Sequence, residues 1–174
     1  MIARALVLAG LCLMVAACNR NPLEVKISRC SAVAVVGDAG TVTRFAGSGR
    51  TDQDVSYTAT IMNVLTDCEE PDDKESGEVT ATTRFVVGAT AGPALTSRTV
   101  DISYFVAVLK DNSRIITKKT YPVTLNFDAD GKASSAQTIR HVVPSIEQAR
   151  RYDYEVIVGF QLSPDEAVYN MERS

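Results

Sequence analysis

The chain has 174 residues, of which 45% are hydrophobic and 22% charged, with a formal net charge of −3. That composition belongs to a folded domain rather than a disordered tail, and the length suits a single domain. Charge is nearly balanced and no basic cluster stands out, which argues against nucleic acid as a partner.

The first element is an export signal. Arg4 is the only charge before Arg20, and an apolar run follows it from Ala5 to Met14. Small residues then lead to a cysteine in Val15-Ala16-Ala17-Cys18. A basic start, an apolar centre and small residues before a cut define a signal peptide. The run is short for a membrane span, which takes about 20 apolar residues. Polar and turn-forming residues, Asn19 to Pro22, begin directly after the cysteine. Val15-Ala16-Ala17-Cys18 resembles the lipobox of bacterial lipoproteins. The resemblance implies a diacylglyceryl group on the Cys18 sulfur, cleavage after Ala17 and an acyl chain on the new amino terminus. Stable anchoring needs two or more acyl chains, which that modification supplies. Asn19 stands where the family's inner-membrane retention signal has Asp, so the resemblance points to the outer membrane. On this reading residues 1–17 are the signal, 18–22 a lipidated tether and 23–174 one domain. The competing reading is an ordinary secretory signal, or a short N-terminal anchor, with a chance cysteine.

The body alternates with period two, the pattern of half-buried strands. In chain order, candidate strands cover residues 23–27, 31–36, 41–46, 55–61, 79–87, 100–108, 121–127, 133–143 and 154–162. The clearest faces are Ile102, Tyr104, Val106 and Val108, and Tyr154, Val156, Val158, Phe160 and Leu162. Asp111-Asn112 and Asp130-Gly131 carry hairpin chemistry, and Gly37-Asp38-Ala39-Gly40 is a third turn. Longer loops are expected at 67–77, which is acidic, and at 88–98. Ser163-Pro164-Asp165-Glu166 is a capping box with proline at the first helical position, so a short helix should run to about Met171. Ser145 opens a weaker box. One apolar and one polar face per strand predicts an all-β fold, an antiparallel β-sandwich with a short C-terminal helix.

Of four cysteines, Cys12 leaves with the signal and Cys18 carries lipid. Cys30 and Cys68 remain, and in an oxidising compartment they should form a disulfide. A metal pair or free thiols is the rival, although a chain with one histidine would need carboxylates to complete a zinc site. Val143-Pro144-Ser145-Ile146, followed by Tyr152 and the strand from Tyr154, resembles the tyrosine corner of immunoglobulin and fibronectin type III sandwiches. The resemblance implies an immunoglobulin-like sandwich. The stretch 104–170 is also similar to bacterial lipoproteins without an assigned function, which implies no activity.

Catalytic constellations are scarce. His141, the single histidine, shares a strand face with Ile139 and Val143 and has no nucleophile near it in sequence. The glycine-rich turns lack the lysine and helix start of a phosphate loop. Asp128-Ala129-Asp130-Gly131 faintly resembles a calcium loop but lacks its remaining ligands. The acidic stretch from Asp67 to Glu75 reads as a solvated loop that could at most bind a cation weakly. Lys118-Lys119 reads as a solvated strand face or edge protection. We therefore expect no enzyme and no cofactor beyond the lipid. The leading expectation is a membrane-anchored periplasmic lipoprotein that binds or stabilises an envelope protein through a sheet edge or residues 88–98. The second is a carrier or sensor of a small molecule or glycan, which requires a cavity of several hundred Å3 between the sheets. The third is a hydrolase, which requires carboxylates converging in a cleft.

Overall fold

Successive side chains on a strand point to opposite faces, so each apolar row read above should face a partner sheet. In a computed structural model that describes residues 30–69, 79–143 and 154–173, it does. The strands are β1 (Ala32–Val35), β2 (Thr41–Phe45), β3 (Val55–Glu69), β4 (Val79–Ala91), β5 (Thr99–Lys110), β6 (Arg114–Asn126), β7 (Lys132–Val143) and β8 (Tyr154–Phe160), with a helix α1 (Pro164–Met171) after them. One sheet has the order β1-β8-β5-β6 and the other β2-β3-β4-β7. Neighbours are antiparallel except β1, which runs parallel to β8. The inner rows of the two sheets meet in one main core, centred on Phe85, Tyr104, Leu125, Val158 and Phe160. The fold is an all-β sandwich.

The turns form as their residues dictate. Asp111 and Asn112 both have φ near 54°, the left-handed geometry that a tight hairpin needs. In the β6–β7 turn Gly131 has φ 69°. The Asp128 carboxylate accepts the backbone N–H groups of Asp130 and Lys132, so the stretch that resembles a calcium loop is a self-bonded turn. The capping box forms as read: the Ser163 hydroxyl accepts from the Glu166 N–H, and the Glu166 carboxylate accepts from the Ser163 N–H. The helix then lies along β2. Asn170 donates to the carbonyls of Asp38 and Thr41, Arg44 pairs with Glu166 at 2.8 Å, and Phe45 meets Tyr169 edge to face. An edge strand covered by a helix is protected from pairing with other chains.

Three expectations need correction. The loop expected at residues 88–98 begins only after Ala91, because β4 is central and hydrogen-bonds to β3 and β7 along its whole length. The rest of the expected acidic loop lies outside the described residues, but Asp67 does not open a loop, because β3 runs to Glu69 and carries Asp67 and Glu69 on its outer face. There Asp67 pairs with Arg84 and Glu69 with Arg140. Finally, β6 starts at Arg114 rather than Tyr121. The candidate strand at 23–27, the Ser145 box, Tyr152 and Cys18 lie outside the described residues.

The length of β3 depends on one irregularity. Its register with β4 shifts between Met62 and Leu65, and Asn63 has φ 55°. This is a β-bulge, which inserts one extra residue and so exchanges the two faces of the strand beyond it. Before the bulge Tyr57, Ala59 and Ile61 face the core. After it Val64 packs on the core and Cys68 packs on a second cluster with Val79, Ala81, Val108, Val143 and Tyr154. Cys68 thereby faces the chain entering β1 and forms a disulfide with Cys30, with 5.4 Å between their Cα atoms. Because β1 belongs to one sheet and β3 to the other, the bond staples the two sheets at that edge.

Candidate functional site

Toward the β6–β7 turn, Val123 and Leu125 of β6 and Phe127 just after it are all buried, and the sheets close on them. The inner face of β6 continues in the same phase to Tyr121, Lys119 and Thr117. These residues pair in register with Tyr104, Val106 and Val108 of β5. A lysine and a threonine cannot fill a core as leucine and phenylalanine do. The sheets therefore leave an open cleft of about 350 Å3 between β6 and β7, with Val106 and Val108 on its floor. Ile139 and His141 line it from β7, and Lys119 and Tyr121 from β6. The volume lies at the lower end of the range for small-molecule pockets.

His141 is the site's most distinctive group. Neither ring nitrogen touches water or has a hydrogen-bond partner among the described residues. A buried polar group without a partner costs about 1–3 kcal/mol. Burial also pushes the imidazole below its ordinary pKa of 6.5, because the charged form is the one most penalised. Lys119, Tyr121 and Arg140 share its cleft, and among the described residues no Asp or Glu lines it. The unfolded chain therefore takes up a proton near pH 6.5 that the folded chain refuses. The stability this provides is complete above about pH 6.5 and falls as the pH drops below it. We expect urea midpoints to decline between pH 7.5 and 5.5, and His141→Leu to flatten that decline. An equal decline in the variant would assign the acid sensitivity to other groups.

A second, smaller cavity of about 180 Å3 lies beside α1, between Arg44, Phe45, Arg50 and Tyr169. Its charges are largely satisfied internally: Arg44 pairs with Glu166, and the Arg50 guanidinium sits 4.9 Å from the centre of the Phe45 ring and donates to Gly49. It is a seam between helix and sheet.

The sequence places His141 correctly, on the inner face with Ile139 and Val143. It does not single out Lys119, which reads there as a solvated or edge-protecting charge. Only its phase could have revealed it, since Lys119 lies two and four residues from Tyr121 and Val123 on one face. Its neighbour Lys118 points the other way, 4.2 Å from the centre of the Phe105 ring on the outer surface. Of the acidic stretch, the described members Asp67 and Glu69 lie outside the opposite sheet in exposed ion pairs, a class worth about 0–1 kcal/mol. Among the described residues no group of three His, Cys, Asp or Glu side chains is placed to hold a metal.

No family model matches the chain, no curated protein matches its sequence, and no solved structure matches its fold.

Proposed function

We propose that this chain is a lipid-anchored protein of the bacterial cell envelope that holds a small ligand between its two sheets, and that it is not an enzyme. The observation that carries the ligand reading is the cleft between β6 and β7, with its apolar floor and the polar side chains of Lys119, Arg140 and His141 in its lining. A few polar groups set in an apolar hollow are the usual make-up of a small-molecule site. The address rests on Val15-Ala16-Ala17-Cys18 and on the disulfide, which belongs to an oxidising compartment. Acylation at Cys18 would hold the domain at the periplasmic face of a membrane, the outer membrane by the choice of Asn19. There the ligand would be captured, carried or sensed. Binding of an envelope protein remains compatible with this reading, because the anchor raises the local concentration of any membrane-bound partner.

Two measurements test the proposal. Mass spectrometry of the protein from a Gram-negative host should give a mature chain that begins at acylated Cys18, and Cys18→Ser should abolish the acyl mass. An unacylated chain cut elsewhere would remove the anchor. Native mass spectrometry of the domain released gently from envelopes should show a small-molecule adduct that denaturation removes. Thr117→Trp, at an exposed position on the cleft wall, should eliminate it. An adduct that survives in Thr117→Trp would place the ligand elsewhere.

A further inference from the structure

Balanced charge along the chain conceals a local excess at the β5–β6 hairpin. Lys110, Arg114, Lys118 and Lys119 crowd there against the single carboxylate of Asp111. None of these cations is in an ion pair among the described residues, whereas Arg44, Arg84 and Arg140 each are. Two isoleucines sit among them. Ile115 is 58% and Ile116 42% exposed, and every residue from 111 to 120 is exposed. The β5–β6 register skips Ile116 and sets Ile115 opposite Leu109. Burial in the core therefore gives neither isoleucine a reason to be there. The hairpin also lies at the end where the chain enters the domain. Lys110 pairs with Arg114 on one side and with Tyr154, the first residue of β8, on the other. β1 runs parallel to β8, and Ala32 at its start pairs with Glu155. The start of β1, just after Cys30, is thus three strands from β6, or about 15 Å. From Cys30 back to Cys18 the chain spans at most about 40 Å when fully extended.

Resting on the reading of Cys18 as the lipid anchor, we infer that the β5–β6 hairpin is a second membrane contact, docked on the anionic phospholipid surface that holds the anchor. The tether keeps the hairpin within reach of that surface. An anionic bilayer attracts each nearby Lys or Arg, and here the cations are unpaired. Exposed apolar side chains between them settle at the boundary of headgroups and acyl chains, and the aliphatic stems of the lysines can lie alongside. The acidic residues from Glu70 to Glu78 connect β3 to β4, in the other sheet, so the surface committed to the membrane is the β6 side of this end. A lipid on Cys18 alone leaves the domain free to swivel about its tether. The hairpin contact fixes one orientation and brings the β6–β7 cleft, which Thr117 and Lys119 line, beside the headgroups.

The chain has no tryptophan, so one introduced indole reports its own surroundings. Acylated protein carrying Ser113→Trp, in the hairpin, or Thr96→Trp, exposed at the opposite end just before β5, is reconstituted into vesicles of phosphatidylcholine alone or mixed equally with phosphatidylglycerol. In the anionic vesicles Ser113→Trp should lose intensity to lipids brominated on their acyl chains and shift its emission to shorter wavelength. In neutral vesicles, and for Thr96→Trp in both, neither change should occur. Adding Arg114→Gln or Lys119→Gln should weaken the contact about fivefold for each cation removed. Salt at about 1 M, which screens charges beyond about 3 Å, should release it. Adding Ile115→Thr together with Ile116→Thr should abolish the quenching yet keep the β-branched residues a strand prefers, with an unchanged circular dichroism spectrum. Equal quenching at the two positions, equal quenching in neutral vesicles, or quenching that survives the threonines would overturn the contact. A shift to shorter wavelength without quenching would also overturn it, by assigning the hairpin to a protein partner or a second copy of the chain. Absence of quenching from a chain whose mass shows the acyl groups would overturn this inference and leave the anchor standing. Absence of the acyl mass would remove both.

Discussion

Replacing Cys30 and Cys68 together by alanine should remove about 4 kcal/mol of folding free energy, the entropy an unfolded chain regains when a loop of 38 residues is no longer closed. The geometry of the bond depends on Asn63. It is the extra residue of the β3 bulge, and strict alternation through it would carry Cys68 to the face of Met62, away from Cys30. Deleting Asn63 removes the extra residue, so Val64 and Cys68 stay on the face of Tyr57, Ala59 and Ile61 and the disulfide should persist. The folded domain should therefore yield no reactive thiol at these positions in the parent or in the deletion variant, whereas their urea midpoints should both lie above that of the Cys30→Ala/Cys68→Ala variant. Asn63→Gly should also keep the bond, because glycine adopts a positive φ freely. Asn63→Val should weaken the domain without exposing the thiols, since a β-branched side chain is strained in that conformation. A deletion variant that exposes both thiols would show that the bulge does more than restore the face of Cys68.

The bulge also marks where sequence reasoning runs out. The alternation in β5 and β8 is legible because each strand keeps one phase and one buried side. Ile102, Tyr104, Val106 and Val108 can be counted off without a structure, and all four are buried. In β3 the phase changes at Asn63, so the strand seems to stop near Ile61 and the carboxylates beyond it look like the start of a loop. A bulge has no fixed sequence signature. Asn tolerates a positive φ, but asparagine at a strand position is equally often a sign that the strand has ended. The pairing of the cysteines is legible by elimination, whereas their geometry is not.

The candidate site was half legible for a related reason. The hydrophobic pattern identifies strands by the core they bury, and β6 stops burying core at Tyr121. From there to Arg114 it holds its hydrogen bonds to β5 but turns Lys119 and Thr117 inward. The property that hides this half of the strand from a hydrophobicity reading is the property that opens the cleft. His141 carries a trace of the same situation: a polar residue in phase with Ile139 and Val143 must either be satisfied or face a space. The two halves of the site come from strands that are consecutive in sequence but lie in different sheets. Their convergence follows from the sandwich topology, which alternation alone does not give.

Tyr104→Ala should rank among the most damaging single substitutions in the domain, at about 3–5 kcal/mol. Tyr104 is 1% exposed and lies at the junction of both sheets. Its ring meets Phe85 edge to face at 5.0 Å and stacks on Tyr121 at 5.5 Å, and it pairs in register with Phe160. Its hydroxyl donates to the Gln137 side chain at 2.9 Å, and Gln137 in turn donates to Ser135. Truncation to alanine empties the centre of the core and strands Gln137. Tyr104→Phe isolates the second effect and should cost about 1 kcal/mol, the usual net value of one hydrogen bond. The phenol also gives the pair of variants a pH signature. Burial, with Tyr121 beside it, pushes the Tyr104 pKa from 10.0 up to about 12. The unfolded chain loses this proton near pH 10 while the folded chain keeps it, so stability must fall as the pH rises through 10 and go on falling until about 12. Urea midpoints taken at pH 8 and pH 11 should therefore converge in Tyr104→Phe more than in the parent protein. Some alkaline sensitivity should persist, because burial raises the Tyr57 phenol as well. A Tyr104→Phe variant with the full alkaline loss would mean that Tyr104 ionises as readily in the folded chain as in the unfolded one. That result would be incompatible with a closed core at this end of the sandwich. It would also extend solvent from the cleft past Tyr121, and with it the space a ligand could occupy.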